Sequence, residues 1–272
     1  MFDDNQPITN IFSDFSFLNG TLSEFYGVGG ATGNNFVKVS NLAERGGVLT
    51  SGAFMSGFAN DLESSPIQRA VSVREDILCQ VVPPMPTDID LFRDNVANSL
   101  DDYIEAQGGS ITNRERFHFL TKDEPCSVCH DEIINPHGFG MENFDAVGRI
   151  RDIDAEGNFI DSSGELIGTY ELDDGNVETF DGAVGLSSII ADLPVTTECF
   201  SEKSFRFVVG TGHDVFDHIT ADAPELDDDE IAGYSCGLEV MNAAMSASNN
   251  NAQAAFRTLS TLDFVMFRRN RD

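Results

Sequence analysis

The chain has few cations: 16 Lys and Arg stand against 46 Asp and Glu in 272 residues, a formal charge of -30 at pH 7. Its surface repels nucleic acid and anionic membranes, so nucleic-acid binding drops out as a function class, while cations and basic partners are attracted. The acidic residues are scattered in ones and twos rather than gathered in a tail, the pattern of a solvated surface. Long apolar runs are missing too. No stretch approaches the roughly 18 apolar residues of a membrane span, and Met1-Phe2-Asp3-Asp4 lacks the basic and apolar regions of a signal peptide. Cysteine is scarce and odd in number, five in all with two in one tight motif, which excludes a scaffold held by disulfides throughout.

What is present is an ordinary apolar fraction of 41%, enough for a real core. Residues up to about Gly47 are rich in Phe, Asn and Gly with little periodicity and predict an irregular arm or a short helix-and-loop piece, the end of a preceding domain. From Pro66 to Cys79 apolar residues recur at helical spacing, with Ser65 as cap and Pro66 at the first helical position, and Pro83, Pro84 and Pro86 end that run. Leu91 to Ala106 reads as an acidic amphipathic helix. Thr112 with Glu115 predicts a capping box on a helix to about Thr121. Arg149 to about Asp181, punctuated by Gly157, Gly164, Gly168 and Gly175, predicts one or two hairpins and is the only convincing β segment. Helices follow at Gly185 to Leu193, Thr197 to Val209, Asp227 to Met245 and Ala252 to Arg269.

Cys126-Ser127-Val128-Cys129-His130 is the C-x-x-C-H pattern of c-type haem attachment. In that chemistry two thiols form thioethers with the porphyrin vinyls, and the adjacent His supplies the proximal iron ligand. Zinc sites and dithiol redox pairs share the first four positions. A zinc site needs four ligands, however, and no second close Cys or His pair exists, since His118 and His137 are single and Cys199 and Cys236 lie 37 residues apart. For the second axial position Met141, 11 residues beyond His130, is within reach of an extended chain, and a core methionine beside Phe139 and Phe144 is the competing reading. Met55, His118, His137 and His213 are further candidates. Cys199 and Cys236 are either a disulfide or two buried thiols. Asp152 to Asn158, with Asp161 beyond, alternates carboxylates around Gly157, but it lacks the terminal bidentate Glu of a calcium loop. An acidic hairpin turn is the preferred reading there, with calcium as the weaker one. His213-Asp214 and Asp217-His218 pair acid with imidazole, yet no nucleophile accompanies them.

Around this motif a wider pattern resembles the Planctomycete-type cytochrome c proteins, large exported proteins assembled from several domains of unknown function. It is carried by Phe15 to Asn19 and Tyr26-Gly27, Arg45 to Gly52, Ser64 to Arg69 and Ile77 to Gln80 before the proline linker. It continues with Arg114 to Arg116, Pro125 to His130, Asn135-Pro136, Gly138-Phe139 and Glu142 to Arg149. Three departures stand out: Gln68-Arg69-Ala70 replaces a usual Arg-Gly, His137 replaces an apolar residue, and Gly210-Thr211-Gly212-His213 stands where Gly-Arg is usual. The resemblance implies an upstream cytochrome-like region and a signal peptide, so the chain is expected to be a C-terminal piece of an exported, periplasmic or extracellular protein.

The expected fold is mainly α with a small β-hairpin insert, a cytochrome c-like haem site lying within a larger helical domain. The expected division is 1–47 as the end of a preceding domain, 48–151 as the haem-binding domain, 152–184 as the β-hairpin insert and 185–272 as a C-terminal helical domain. Phe117, Phe119, Phe139 and Phe144 are expected to wall a covalent haem c. The leading function is electron transfer with a redox partner protein, Cys126 and Cys129 acting as anchors, His130 as proximal ligand and Met141 as candidate distal ligand. The alternatives are a haem oxidoreductase or peroxidase-like enzyme on an extracellular, polysaccharide-related substrate, and a docking module in a larger exported assembly. The oligomeric state is not legible in the sequence.

Overall fold

A computed structural model describes residues 5–83, 89–168, 177–210 and 226–266. It is mainly helical, with two small antiparallel sheets of two strands each. The chain divides into a larger unit, Phe12–Glu75 with Gln80–Ala191, and a smaller one, Met1–Ile11, Asp76–Cys79 and Asp192–Asp272. This division cuts across the four consecutive segments read along the sequence, because residues 5–11 and 76–79 join the C-terminal helices rather than their chain neighbours.

The larger unit opens with β1 (Phe15–Leu18), α1 (Gly20–Phe25) and β2 (Val37–Ser40), β1 pairing β2 antiparallel from Phe15↔Ser40 to Leu18↔Val37. The segment holds the short helix and loops that are one expectation for it, but the β1–β2 sheet corrects the expectation of a single β segment. Phe15, Phe17, Val37 and Val39 are β-formers on two short strands, too short to show a period against the Gly and Asn around them. Next come α2 (Gly52–Gly57) and α3 (Pro66–Ser72), the second with Ser65 accepting from the Gln68 amide and Pro66 in its first turn, as predicted. From Val73 to Ile77 the helix loosens into a π turn. After α4 (Ile89–Ala106), Thr112 and Glu115 form the predicted capping box of α5 (Asn113–Thr121).

Three short pieces then run end to end: α6 (Ser127–Cys129), a π turn His130–Ile134 and α7 (Asn135–Phe139). At Gly138 α7 lies against α3, where a Cβ would fall 2.5 Å from the Pro66 carbonyl oxygen, so only glycine permits this approach. The expected hairpin is β3 (Ser163–Ile167) with β4 (Val177–Asp181), paired from Ser163↔Asp181 to Ile167↔Val177. Helix α8 (Gly182–Asp192) follows. Leu49, Met55, Ala70, Val73, Met141, Phe144, Leu166, Leu186 and Ile190 are fully buried in this unit.

The smaller unit is built on α9 (Pro194–Val209), closed by Gly210 in the left-handed region, and α10 (Asp228–Ala247), capped by a second box from Asp227 and Glu230. The last predicted helix breaks into α11 (Ala252–Leu259) and α12 (Asp263–Met266), because Ser260 caps the first and Leu262 turns the chain. Ile8, Phe205, Leu238, Met241, Met245, Ala255 and Leu259 form its core. Phe205, Tyr234 and Phe264 meet edge to face, with centroids 5.0–5.3 Å apart. Cys199 pairs with Cys79, not with Cys236, which is exposed on α10. Cys79 reaches it from just beyond the π turn, its backbone at φ 49°. Among the described residues no single helix is long and apolar enough to cross a membrane.

Candidate functional site

The Cys126 to His130 motif occupies one helical turn. The amides of Cys129 and His130 both bond the Cys126 carbonyl, at 3.3 and 3.1 Å, so the two thiols and the imidazole issue from consecutive positions around one axis. Cys126 and Cys129 are half-buried and not disulfide-bonded, and Val128 between them is exposed. Directly after the motif the backbone widens, with the Asn135 amide bonding the His130 carbonyl five residues back. In an α-helix residues five apart sit about 140° apart around the axis. The π turn instead brings the side chains of His130 and Asn135 together, Nδ1 lying 3.0 Å from Oδ1. Asn135 is buried and donates from Nδ2 to Thr121 Oγ1 at 2.9 Å, and Thr121 donates to the Phe117 carbonyl at 2.7 Å. Among the described residues His130 Nε2 has no hydrogen-bond partner.

Three fully buried arginines fasten the loops around this turn. Arg74 donates from Nε to the Ile133 carbonyl at 3.1 Å, inside the π turn, and from its two Nη to Ile167 O at 2.6 Å and Gln80 Oε1 at 2.6 Å. Arg69 donates to four carbonyls, Met141 at 3.0 Å, Phe144 at 2.9 Å, Met55 at 3.2 Å and Asp145 at 2.7 Å. Arg45 reaches the Thr50 and Gly148 carbonyls and stacks 3.9 Å from the Tyr26 centroid. Burial pushes Arg69 and Arg74 down to about 10, leaving both charged at neutral pH. Sequence reading missed all three, because arginine is normally read as surface and burial leaves no mark on the pattern.

Glu142 is the anionic counterpart. Its Oε2 accepts from Ser64 at 3.0 Å and Asn113 at 2.9 Å, with the Arg151 guanidinium at 3.5 Å. Burial raises its pKa, against the pull of Arg69, Asn113, Arg151 and Ser64. The carboxylate therefore staples the residues before α3, the start of α5 and the chain leaving α7.

His137 has no exposed surface; its Nε2 lies 3.0 Å from the Ala70 carbonyl, and its Nδ1 has no partner. Burial, reinforced by the nearby Arg74, depresses its pKa to about 3. Folded His137 is thus neutral where the unfolded side chain, near 6.5, takes up a proton. Its contribution is complete above pH ~6.5 and is lost progressively down to about pH 3, at ~1.4 kcal/mol per pH unit. Glu142 titrates the other way, stabilising the folded state as it protonates. Urea unfolding of the wild type and His137→Leu between neutral pH and pH ~4 should isolate the histidine, the variant losing stability less steeply; parallel curves would show that His137 is not protonated on unfolding.

The remaining sequence candidates are dispersed. Met141 and Met55 are fully buried, and His118 is exposed on α5. A cavity of about 450 Å³ in the larger unit is lined by His118, Asp131, Asn135, Phe139 and Phe180 together with Arg114. The four phenylalanines proposed as a wall have separate partners: Phe119 stacks on Tyr103 at 4.3 Å, Phe139 lies under Arg114, Phe144 lies under Arg45, and the Phe117 carbonyl holds Thr121. Asp154 turns its carboxylate to the Glu156 and Asn158 amides and to the Asn158 side chain, the geometry of an acidic hairpin turn rather than of an open calcium loop. Asp161 is held below the usual carboxylate range by the Ser163 hydroxyl, then by the Ser163 amide and Arg114, against the effect of burial. His213, Asp214, Asp217 and His218 lie outside the described residues. Among the described residues no group of three or more His, Cys, Asp or Glu is placed to hold a metal ion with side chains alone.

Residues 45–154 match the family model PSCyt3, described as a protein of unknown function (DUF1588). No curated protein and no solved structure matches the chain. The matched stretch begins at Arg45 and takes in the motif turn, Asn135, the buried arginines and Glu142.

Proposed function

We propose, from the match of residues 45–154 to this planctomycete cytochrome c-associated domain family, that the chain is an exported c-type cytochrome domain with one covalent haem that passes electrons to a partner protein. The observation that carries the reading is the motif turn: two half-buried thiols one helical turn apart, followed at once by an imidazole whose Nδ1 is engaged and whose Nε2 has no hydrogen-bond partner among the described residues. This donor set fits haem c. Cys126 and Cys129 would hold the porphyrin through thioether links, and His130 Nε2 would ligate its iron. When bound, the haem supplies one-electron chemistry at iron. A zinc reading lacks its remaining ligands among the described residues.

The polypeptide holds the turn rigid. Arg74 clamps its middle through Ile133, Asn135 holds its end, and Glu142 ties α5 to the loop beyond α7. We assign Met141 to core packing, since its sulfur is enclosed and Arg69 grips its carbonyl. Met141→Ala should leave the axial spectrum of the loaded protein unchanged. Export agrees with the Cys79–Cys199 disulfide, which persists in oxidising compartments. A basic redox partner agrees with the charge of -30. A second reading, an oxidoreductase with an open coordination position, draws on the cavity that places His118 and Asp131 near the motif turn.

The test is expression with a periplasmic signal and c-type haem maturation, followed by a haem stain on a denaturing gel and by absorption spectra. Covalent stain that disappears in Cys126→Ala/Cys129→Ala is the expected result, with a six-coordinate low-spin spectrum for electron transfer. A five-coordinate high-spin spectrum would move the case to the oxidoreductase. Folded protein without covalent haem would overturn both and revive dithiol or zinc chemistry at the two cysteines.

A further inference from the structure

We propose that Asn135 is a positioning residue that sets the tautomer of His130, keeping the proton on Nδ1 and leaving Nε2 as a bare lone pair. What the lone pair binds rests on the haem reading; the tautomer does not.

The argument is a chain of three hydrogen bonds whose polarity is set at its far end. Thr121 Oγ1 and the Phe117 carbonyl oxygen lie 2.7 Å apart, a separation two oxygens hold only with a proton between them. A carbonyl has no proton, so the hydroxyl donates its single hydrogen there. Thr121 Oγ1 is then only an acceptor toward Asn135, and the group 2.9 Å from it must be the amide Nδ2. That orientation leaves Oδ1, an acceptor without hydrogens, facing His130 Nδ1 at 3.0 Å. Two acceptors do not bond, so Nδ1 carries the proton.

Burial keeps the chain from turning over. Asn135 and Thr121 are 3% and 8% exposed, so little water competes for the amide or the hydroxyl. Reversing the asparagine would set a donor against Nδ1 and strip the proton from between Thr121 and Phe117, breaking a bond for no gain. Losing one hydrogen bond on reversal corresponds to a bias of about fivefold in the tautomer ratio. The π turn makes this possible, since it is what brings residue 135 beneath residue 130. An imidazole that donates from Nδ1 to a fixed oxygen is held in one ring orientation and is the more basic at Nε2, the arrangement metal-bound histidines require.

The test is made on the full chain without haem and again after loading. In the haem-free protein at alkaline pH, two-bond ¹⁵N–¹H correlation spectra, with His130 assigned by its loss in His130→Gln, should show His130 as the Nδ1–H form by about fivefold or more. Thr121→Val removes the acceptor that orients the amide and should bring the ratio toward that of a free side chain, Thr121→Ser should restore it, and Asn135→Leu should abolish the preference. In loaded protein the haem reduction potential should rise in Asn135→Leu and fall in Asn135→Asp. Wild-type His130 in the Nε2–H form, or an Nδ1–H form that survives both Thr121→Val and Asn135→Leu in folded protein, overturns the inference. Covalent haem with the wrong tautomer overturns it alone; the predicted tautomer without covalent haem overturns the haem reading alone.

Discussion

Arg69→Met is expected to lower the unfolding free energy of the larger unit by about 2 kcal/mol or more, from the unsatisfied carbonyls alone. Methionine matches the length and volume of the aliphatic stem, so little cavity forms, but it has no N–H. The Met55 and Phe144 carbonyls would lose their only donor among the described residues and face an apolar sulfur, whereas Met141 O keeps the Phe144 amide at 3.3 Å and Asp145 O keeps the Gly148 amide at 3.2 Å. Each buried acceptor left bare costs about 1–3 kcal/mol. Removing a buried cation recovers part of that, and Glu142 loses a nearby positive charge. A small domain has about 5–15 kcal/mol in total, so the variant should lose a sizeable share of its stability. Urea titration followed by circular dichroism provides the measurement, with Arg69→Lys as companion, since one ammonium has three donors for four acceptors. A loss below ~1 kcal/mol would mean that water or backbone relaxation satisfies the loop without the arginine.

Reduction of Cys79–Cys199, or the Cys79→Ala/Cys199→Ala pair, should cost about 4–5 kcal/mol. The bond joins positions 120 residues apart, and the entropy it removes from the unfolded chain grows with that loop. The Asp76–Cys79 segment belongs to the smaller unit through this bond and the Lys203–Asp76 ion pair, which has its carboxylate half exposed and adds little. The loss should be smaller if the larger unit stays folded while the smaller one opens, because the freed loop is then effectively shorter. Thermal unfolding with and without reductant, compared with Cys236→Ser as the control at an exposed free thiol, separates the bond from general thiol chemistry. An unchanged transition on full reduction would show that the helical core of the smaller unit suffices without the link.

Local order was largely legible. Ser65 with Pro66, Thr112 with Glu115 and Asp227 start the helices as their types require, because a cap is a bond between residues three apart and needs no knowledge of the rest of the chain. The β1–β2 sheet was not legible, since four-residue strands separated by 18 residues of Gly- and Asn-rich loop carry no period and gain their stability from burial. The disulfide partner of Cys199 was equally hidden: spacing permits both Cys79 and Cys236, and only the packing of 76–79 against α9 selects between them. At the site the motif residues were read directly, whereas Asn135 passed as part of an Asn-Pro pair. Its contact with His130 depends on a π turn, for which the sequence has no signal.

The sequence by itself determined the chemistry offered and the helices that carry it: the thiols at 126 and 129, the imidazole at 130, the caps and the acidic surface. These are properties of residue type and of neighbours within a turn, and they survive whatever the rest of the chain does. Tertiary structure alone decided that Arg45, Arg69, Arg74, Glu142 and His137 are buried, that Met141 packs in the core, and that Asn135 faces His130 with its oxygen. Burial and hydrogen-bond polarity are set by atoms from distant parts of the chain, such as Ser64 on Glu142 or Phe117 behind Thr121, and no local pattern records them.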